Sequence, residues 1–84
     1  MNIYFEIAKS LEQLRKEFHI YQHVKISIAI PANNRIFQII ETFPNGQQMN
    51  IYGSTDPIDI LYYLKDTIIV EEVLQNVKPR TPIL

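Results

Sequence analysis

The chain contains no cysteine and only two glycines. Without cysteine there are no disulfides, no thiolate metal ligands and no thiol nucleophile. With so little glycine there is no phosphate-cradling loop. An excess of one charge is also lacking, because eight Lys and Arg face nine Asp and Glu for a net −1. Nucleic-acid binders usually carry a basic excess or stripe, and polyanion mimics a strong acidic excess. No apolar run approaches the roughly 18 residues of a membrane-spanning helix. The opening "MNIYFEIAKS" lacks the basic start and long apolar stretch of a secretory signal, so the cytoplasm is the expected compartment.

What is present is the material of one small folded domain. Eighty-four residues build a single core, and 46 % of them are hydrophobic, with five tyrosines and four phenylalanines. In "IYFEIAKSLEQLRKEFHIY", Tyr4, Ile7, Leu11, Leu14, Phe18 and Tyr21 recur at spacings of three and four, which lays one apolar stripe along a helix. Glu12 and Lys16 are placed for a surface ion pair on it. A competing reading makes Ile3 to Ile7 a short strand and starts the helix at Ser10, with Gln13 completing a capping box. The unbroken stripe favours the continuous helix.

The period then changes. In "VKISIAI", Val24, Ile26, Ile28 and Ile30 alternate with Lys25, Ser27 and Ala29, the pattern of a half-buried strand that Pro31 ends. "ANN" supplies a turn. "RIFQIIETF" has apolar groups on both faces and reads as a central strand covered on both sides. In "FPNGQ", Pro44 presets the first turn torsion and Asn45-Gly46 tolerates positive φ, so Phe43 and Gln47 flank a hairpin loop. "QQMNIYG" returns as the third strand, ended by Gly53.

Ser54, Thr55 and Asp56 are all good N-caps, Pro57 suits the first helical position, and Asp59 falls in the first turn. A short helix is expected from Pro57 to Lys65. Asp66-Thr67 offers a new cap, followed by a last helix through Val77. There Ile69, Val70, Val73, Leu74 and Val77 share one arc, and Thr67, Glu71, Glu72, Gln75 and Asn76 the other. Lys78-Pro79 ends the domain, placed at residues 1–78, and residues 79–84 form a tail. The expected fold is a two-layer α+β sandwich, with a helix, a three-stranded antiparallel meander and two further helices.

Helix, three strands, helix is also the order of the double-stranded-RNA-binding domain, a resemblance of topology alone. That domain is expected to meet phosphates with basic side chains at the start of its last helix. Here that place holds Asp56, Pro57 and Asp59, and two carboxylates repel phosphate. A small nucleic-acid-binding regulator is therefore the second choice of function.

Chemistry-bearing residues are few. His19 and His23 lie four apart, but two imidazoles are fewer ligands than a closed zinc site needs. Ser10, Ser27 and Ser54 lack a nucleophile-elbow context. Glu71 and Glu72 point about 100° apart on a helix, and Glu41 interrupts an otherwise apolar strand. No catalytic, cofactor-binding or metal-binding residue is assigned, and no enzyme activity is expected. The remaining signal is the helix "PIDILYYLK", which has almost no polar face and which the last helix is expected to cover in part. The part left open, Ile58, Tyr62 and Tyr63, joined by Tyr52 from the third strand, is the candidate partner interface. The expected function is protein–protein interaction, as a homodimer or as an accessory or inhibitor of a larger protein. One exposed edge strand, "VKISIAI", offers a second surface for pairing.

Overall fold

A computed structural model describes residues 1–77. The proposed tail at 79–84 and the stop at Lys78-Pro79 lie outside the described residues. The elements are α1 (Ile3–Glu17), β1 (Val24–Ala29), a 3₁₀ turn (Pro31–Asn33), β2 (Ile36–Thr42), β3 (Gln48–Ser54) and α2 (Pro57–Asn76). The strands form one antiparallel sheet in the order β1-β2-β3. Both helices pack on one face of it, giving the α+β architecture the residue patterns require.

α1 begins at Ile3 and is continuous. Asn2 caps it, its side chain accepting from the backbone N–H groups of Tyr4 (3.1 Å) and Phe5 (3.2 Å). Ile7, Ser10, Leu11 and Leu14 form its buried stripe, and Phe18 is buried just past its end. The expected Glu12–Lys16 pair forms at 2.7 Å. Tyr4, expected in the stripe, lies at its margin with its ring 6.2 Å from that of Phe37.

The helix stops at Glu17 rather than running to Tyr21, because His19 and Tyr21 both take positive φ (57° and 58°). The connection to β1 is organised by Arg15. Its Nε donates to the Tyr21 carbonyl at 3.1 Å and its Nη2 to the Val24 carbonyl, while Gln22 donates to the carbonyl of Arg15 at 2.8 Å. A guanidinium thus satisfies carbonyls that the chain reversal takes away from any ladder.

β2 is central, as expected, but it is covered on one face only. Phe37 and Ile39 are buried beneath the helices, whereas Ile36, Gln38 and Ile40 are only partly covered on the opposite face. Among the described residues there are two α-helices, both on the other face, and no second layer meets this one. The β2–β3 hairpin closes through Phe43 and Gln47 as expected, with Gly46 at φ 86° and its N–H on the Phe43 carbonyl at 2.9 Å. β3 runs one residue past Gly53, and its register shifts at Ile39/Ile40.

The expected pair of C-terminal helices is a single helix of 20 residues. Asp66-Thr67 does not cap a new helix, since no glycine or proline interrupts the ladder there. The Thr67 hydroxyl instead donates to the Tyr63 carbonyl at 2.8 Å, four residues back within the same helix. Ile60, Leu61, Leu64 and Ile68 complete the core with Ile7, Leu11, Leu14, Phe18, Val24, Phe37 and Ile39.

Two predictions follow from this packing. Arg15→Ala leaves the Tyr21 and Val24 carbonyls short of a charged donor, and chemical denaturation should show a loss of about 2–3 kcal/mol. The Tyr21 phenol is raised above its ordinary 10.0, first by burial, with the Thr67 hydroxyl acting against the shift. Because the folded state holds this proton more tightly, its contribution is complete below pH 10 and falls away as pH rises through the folded-state value. Tyr21→Phe should therefore flatten the alkaline limb of a melting-temperature-against-pH curve.

Candidate partner-binding face

The mouth of α2 is closed by its own residues. Asp56 is the N-cap and accepts from the Ile58 N–H at 3.0 Å. The Ser54 hydroxyl donates to Asp59 Oδ2 at 2.6 Å and accepts from the Asp56 N–H at 3.1 Å. Two carboxylates and a hydroxyl thus occupy the positive end of the helix, where a phosphate would otherwise bind.

The four expected interface residues separate into two groups. Tyr52 and Tyr63 stack on each other, with centroids 4.7 Å apart and planes at 20°, and both pack against the core margin with Ile58 partly covered. Tyr62 faces the other way and is 56 % exposed. The four therefore do not make one patch. Tyr52 and Tyr63 seal the seam between β3 and α2, and Tyr62 alone presents its ring to solvent.

Tyr62 stands at the head of a larger feature. Ile69, Val70, Val73, Leu74 and Val77 are each between 55 % and 64 % exposed. At about 100° per residue, the four on α2 spread over roughly 140°, and Val77 follows them as the C-cap. The centre of that arc lies roughly 160° from the arc holding Ile60, Leu61, Leu64 and Ile68. Tyr62 and Asp66 lie on the same side as the exposed aliphatics. Along the buried direction, the distal half of α2 carries Glu71 and Gln75 instead. The helix is amphipathic twice, with its apolar side inverted near Thr67.

These aliphatic residues share one arc in the sequence, but reading them as a separate helix made them a cover for the tyrosines. Counting the phase continuously from Ile60 to Val77 is the signal that reveals the inversion. On one straight helix a stripe opposite the core meets no other element among the described residues.

Other candidate residues are placed without a shared site. His19 and His23 belong to the α1–β1 connection rather than to one helical face. Among the described residues, no three side chains of metal-ligating type gather. Glu41 pairs in register with Val24 on the helix side of the sheet and is partly covered. Ser10 is buried in the α1 stripe, and Ser54 serves the α2 cap. Among the described residues, no helix is long and apolar enough to cross a membrane.

No family model matches the chain, and no curated protein or solved structure matches it significantly.

Replacing Asp56 with Ala removes the cap from the Ile58 N–H, and the protein should lose about 1 kcal/mol by chemical denaturation.

Proposed function

We propose that this protein is a cytoplasmic interaction module that donates the distal face of α2 to a larger protein, as its accessory or inhibitor. The observation that carries this reading is the row Ile69, Val70, Val73 and Leu74 on α2, continued by Val77 at its C-cap, each more than half exposed. Leaving such a contiguous aliphatic row in water forgoes roughly 1–2 kcal/mol per residue, which burial against a partner recovers. The spacing of three and four among Val70, Val73, Leu74 and Val77 is that of anchors entering an apolar groove. Asp66, on the same side at the head of the row, calls for a cationic side chain at that end of the partner's groove. Tyr62, one turn earlier, adds a ring with a wettable hydroxyl at the rim.

The αβββα order also supports nucleic-acid binding by topology, but Asp56 and Asp59 at the α2 mouth oppose phosphate there. Affinity capture from the native source, without nuclease, separates the two readings. A stoichiometric protein companion should be retained by the wild type. Val70→Asp and Leu74→Asp should each weaken it by at least about 30-fold, the effect of losing a hot-spot residue of about 2 kcal/mol. Their melting temperatures should stay close to wild type, since neither side chain is in the core. Nucleic acid eluting alone, lost at moderate salt and gained by Asp56→Asn with Asp59→Asn, would overturn the proposal.

A further inference from the structure

Among the described residues, the β1 edge of the sheet leaves backbone groups outside the ladder. The Thr42 N–H donates to the His23 carbonyl at 2.9 Å, and the register continues as Val24↔Glu41 through Ala29↔Ile36. In an antiparallel ladder, hydrogen-bonded and non-hydrogen-bonded pairs alternate. Lys25, Ser27 and Ala29 therefore bond to β2, and Val24, Ile26 and Ile28 turn their N–H and C=O groups outward. At Val24 both groups are occupied, its N–H by the Tyr21 carbonyl and its C=O by Arg15. Ile26 and Ile28 form the open stretch, and Pro31 closes its far end.

The two edges of the sheet are not alike. β3 is broken by the register shift at Ile39/Ile40, which bends a strand away from pairing. β1 is regular, and Lys25 is its one charged residue. On the helix side of β1, an apolar groove of about 360 Å³ runs beneath α1, lined by Tyr4, Ile7, Ala8, Leu11, Ile26 and Ile28 among others. Ile28 in that lining is 51 % exposed, and Ile30, just past the end of β1, is 66 % exposed.

We infer that a second copy of this chain covers this edge, β1 pairing antiparallel with β1 about a two-fold axis through Ser27 to give a six-stranded sheet. Only a register that sets outward-facing residues opposite each other allows ladder hydrogen bonds. Centring on Ser27 does so, with Ile26 opposite Ile28 of the second copy and Ile28 opposite its Ile26. Four N–H···O bonds form, using all the groups those two residues leave open.

The side chains agree with the backbone. On the helix side, Ile26 meets Ile28 and Val24 meets Ile30, so the exposed isoleucines of each copy are brought to the lip of the other's groove. On the opposite face Ser27 meets Ser27, and Lys25 meets Ala29. No like charges face each other, which is the condition a self-complementary two-fold interface must satisfy.

The absence of cysteine makes the test direct. Ser27→Cys places two thiols in a non-hydrogen-bonded pair, about 4.5 Å apart at Cα and within disulfide range. Lys25→Cys places them roughly 13 Å apart across the axis and out of range. Mild oxidation of the full chain should convert Ser27→Cys to covalent dimer and leave Lys25→Cys without a cross-link, running as single chains on a denaturing gel. By light scattering, wild type at high micromolar concentration should be a dimer, and Ile28→Lys a monomer with wild-type circular dichroism. Should Ile28→Lys fail to fold, Ile30→Lys, further exposed and outside the ladder, supplies the same readout. A monomeric wild type, or equal cross-linking at both cysteines, overturns the inference. So does a dimer dispersed by Val70→Asp and untouched by the β1 substitutions. The two interfaces are thereby distinguished, since α2 substitutions should leave the Ser27→Cys dimer intact.

Discussion

Two helices on one face of three strands create a single buried interface, and each element can bury only the side it turns toward that interface. This constraint governs the rest of the molecule. α1 spends its stripe of Ile7, Ser10, Leu11 and Leu14 there, and β2 contributes Phe37 and Ile39. α2 reaches the same space with Ile60, Leu61, Leu64 and Ile68. Among the described residues, hydrophobic side chains pointing elsewhere meet no further layer, and Ile69, Val70, Val73 and Leu74 stay more than half exposed.

Much of this was legible from residue order. The spacing in α1, the alternation in β1 and the turn chemistry of Pro44, Asn45 and Gly46 are local signals, and each operates within a few residues. Asp56 and Pro57 mark the start of α2 for the same reason. What escaped was phase over distance. Asp66-Thr67 has the chemistry of a cap, but a cap forms only if the chain leaves helical torsions, and Thr67 finds a bond to Tyr63 without doing so. The apparent coverage of β2 on both faces failed differently. Ile36 and Ile40 are apolar as a buried strand's residues are, but the number of layers is a tertiary fact that strand composition does not encode. Among the proposed interface residues, the stacking of Tyr52 on Tyr63 depends on contacts between distant segments, so sequence spacing could not separate them from Tyr62.

The two proposed surfaces lie on different elements and differ in what they offer a partner. β1 offers backbone hydrogen bonds with a short, bounded reach, limited by Arg15 at one end and Pro31 at the other. α2 offers side chains alone, its own ladder being complete. A strand edge limited to two outward residues selects by register, whereas a helical face selects by groove shape and charge. Arg15 links the folding problem to the recognition problem. The same guanidinium that ties α1 to β1 also sets where the open edge begins.

The distal half of α2 has a further consequence, for motion. Thr67, Ile68, Ile69, Val70 and Val73 are β-branched and lose side-chain freedom in a helix, so their intrinsic preference for it is weak. Helical order usually comes from packing an apolar face, and beyond Ile68 that face looks into solvent. The last turns of α2 are therefore held mainly by their own backbone ladder. A ligand for this face would bind and complete the helix in one step, with part of its contact energy offset by the ordering of the segment it grips. The inverted stripe would then set how tightly the last turns of the helix are held, as well as where a partner lies.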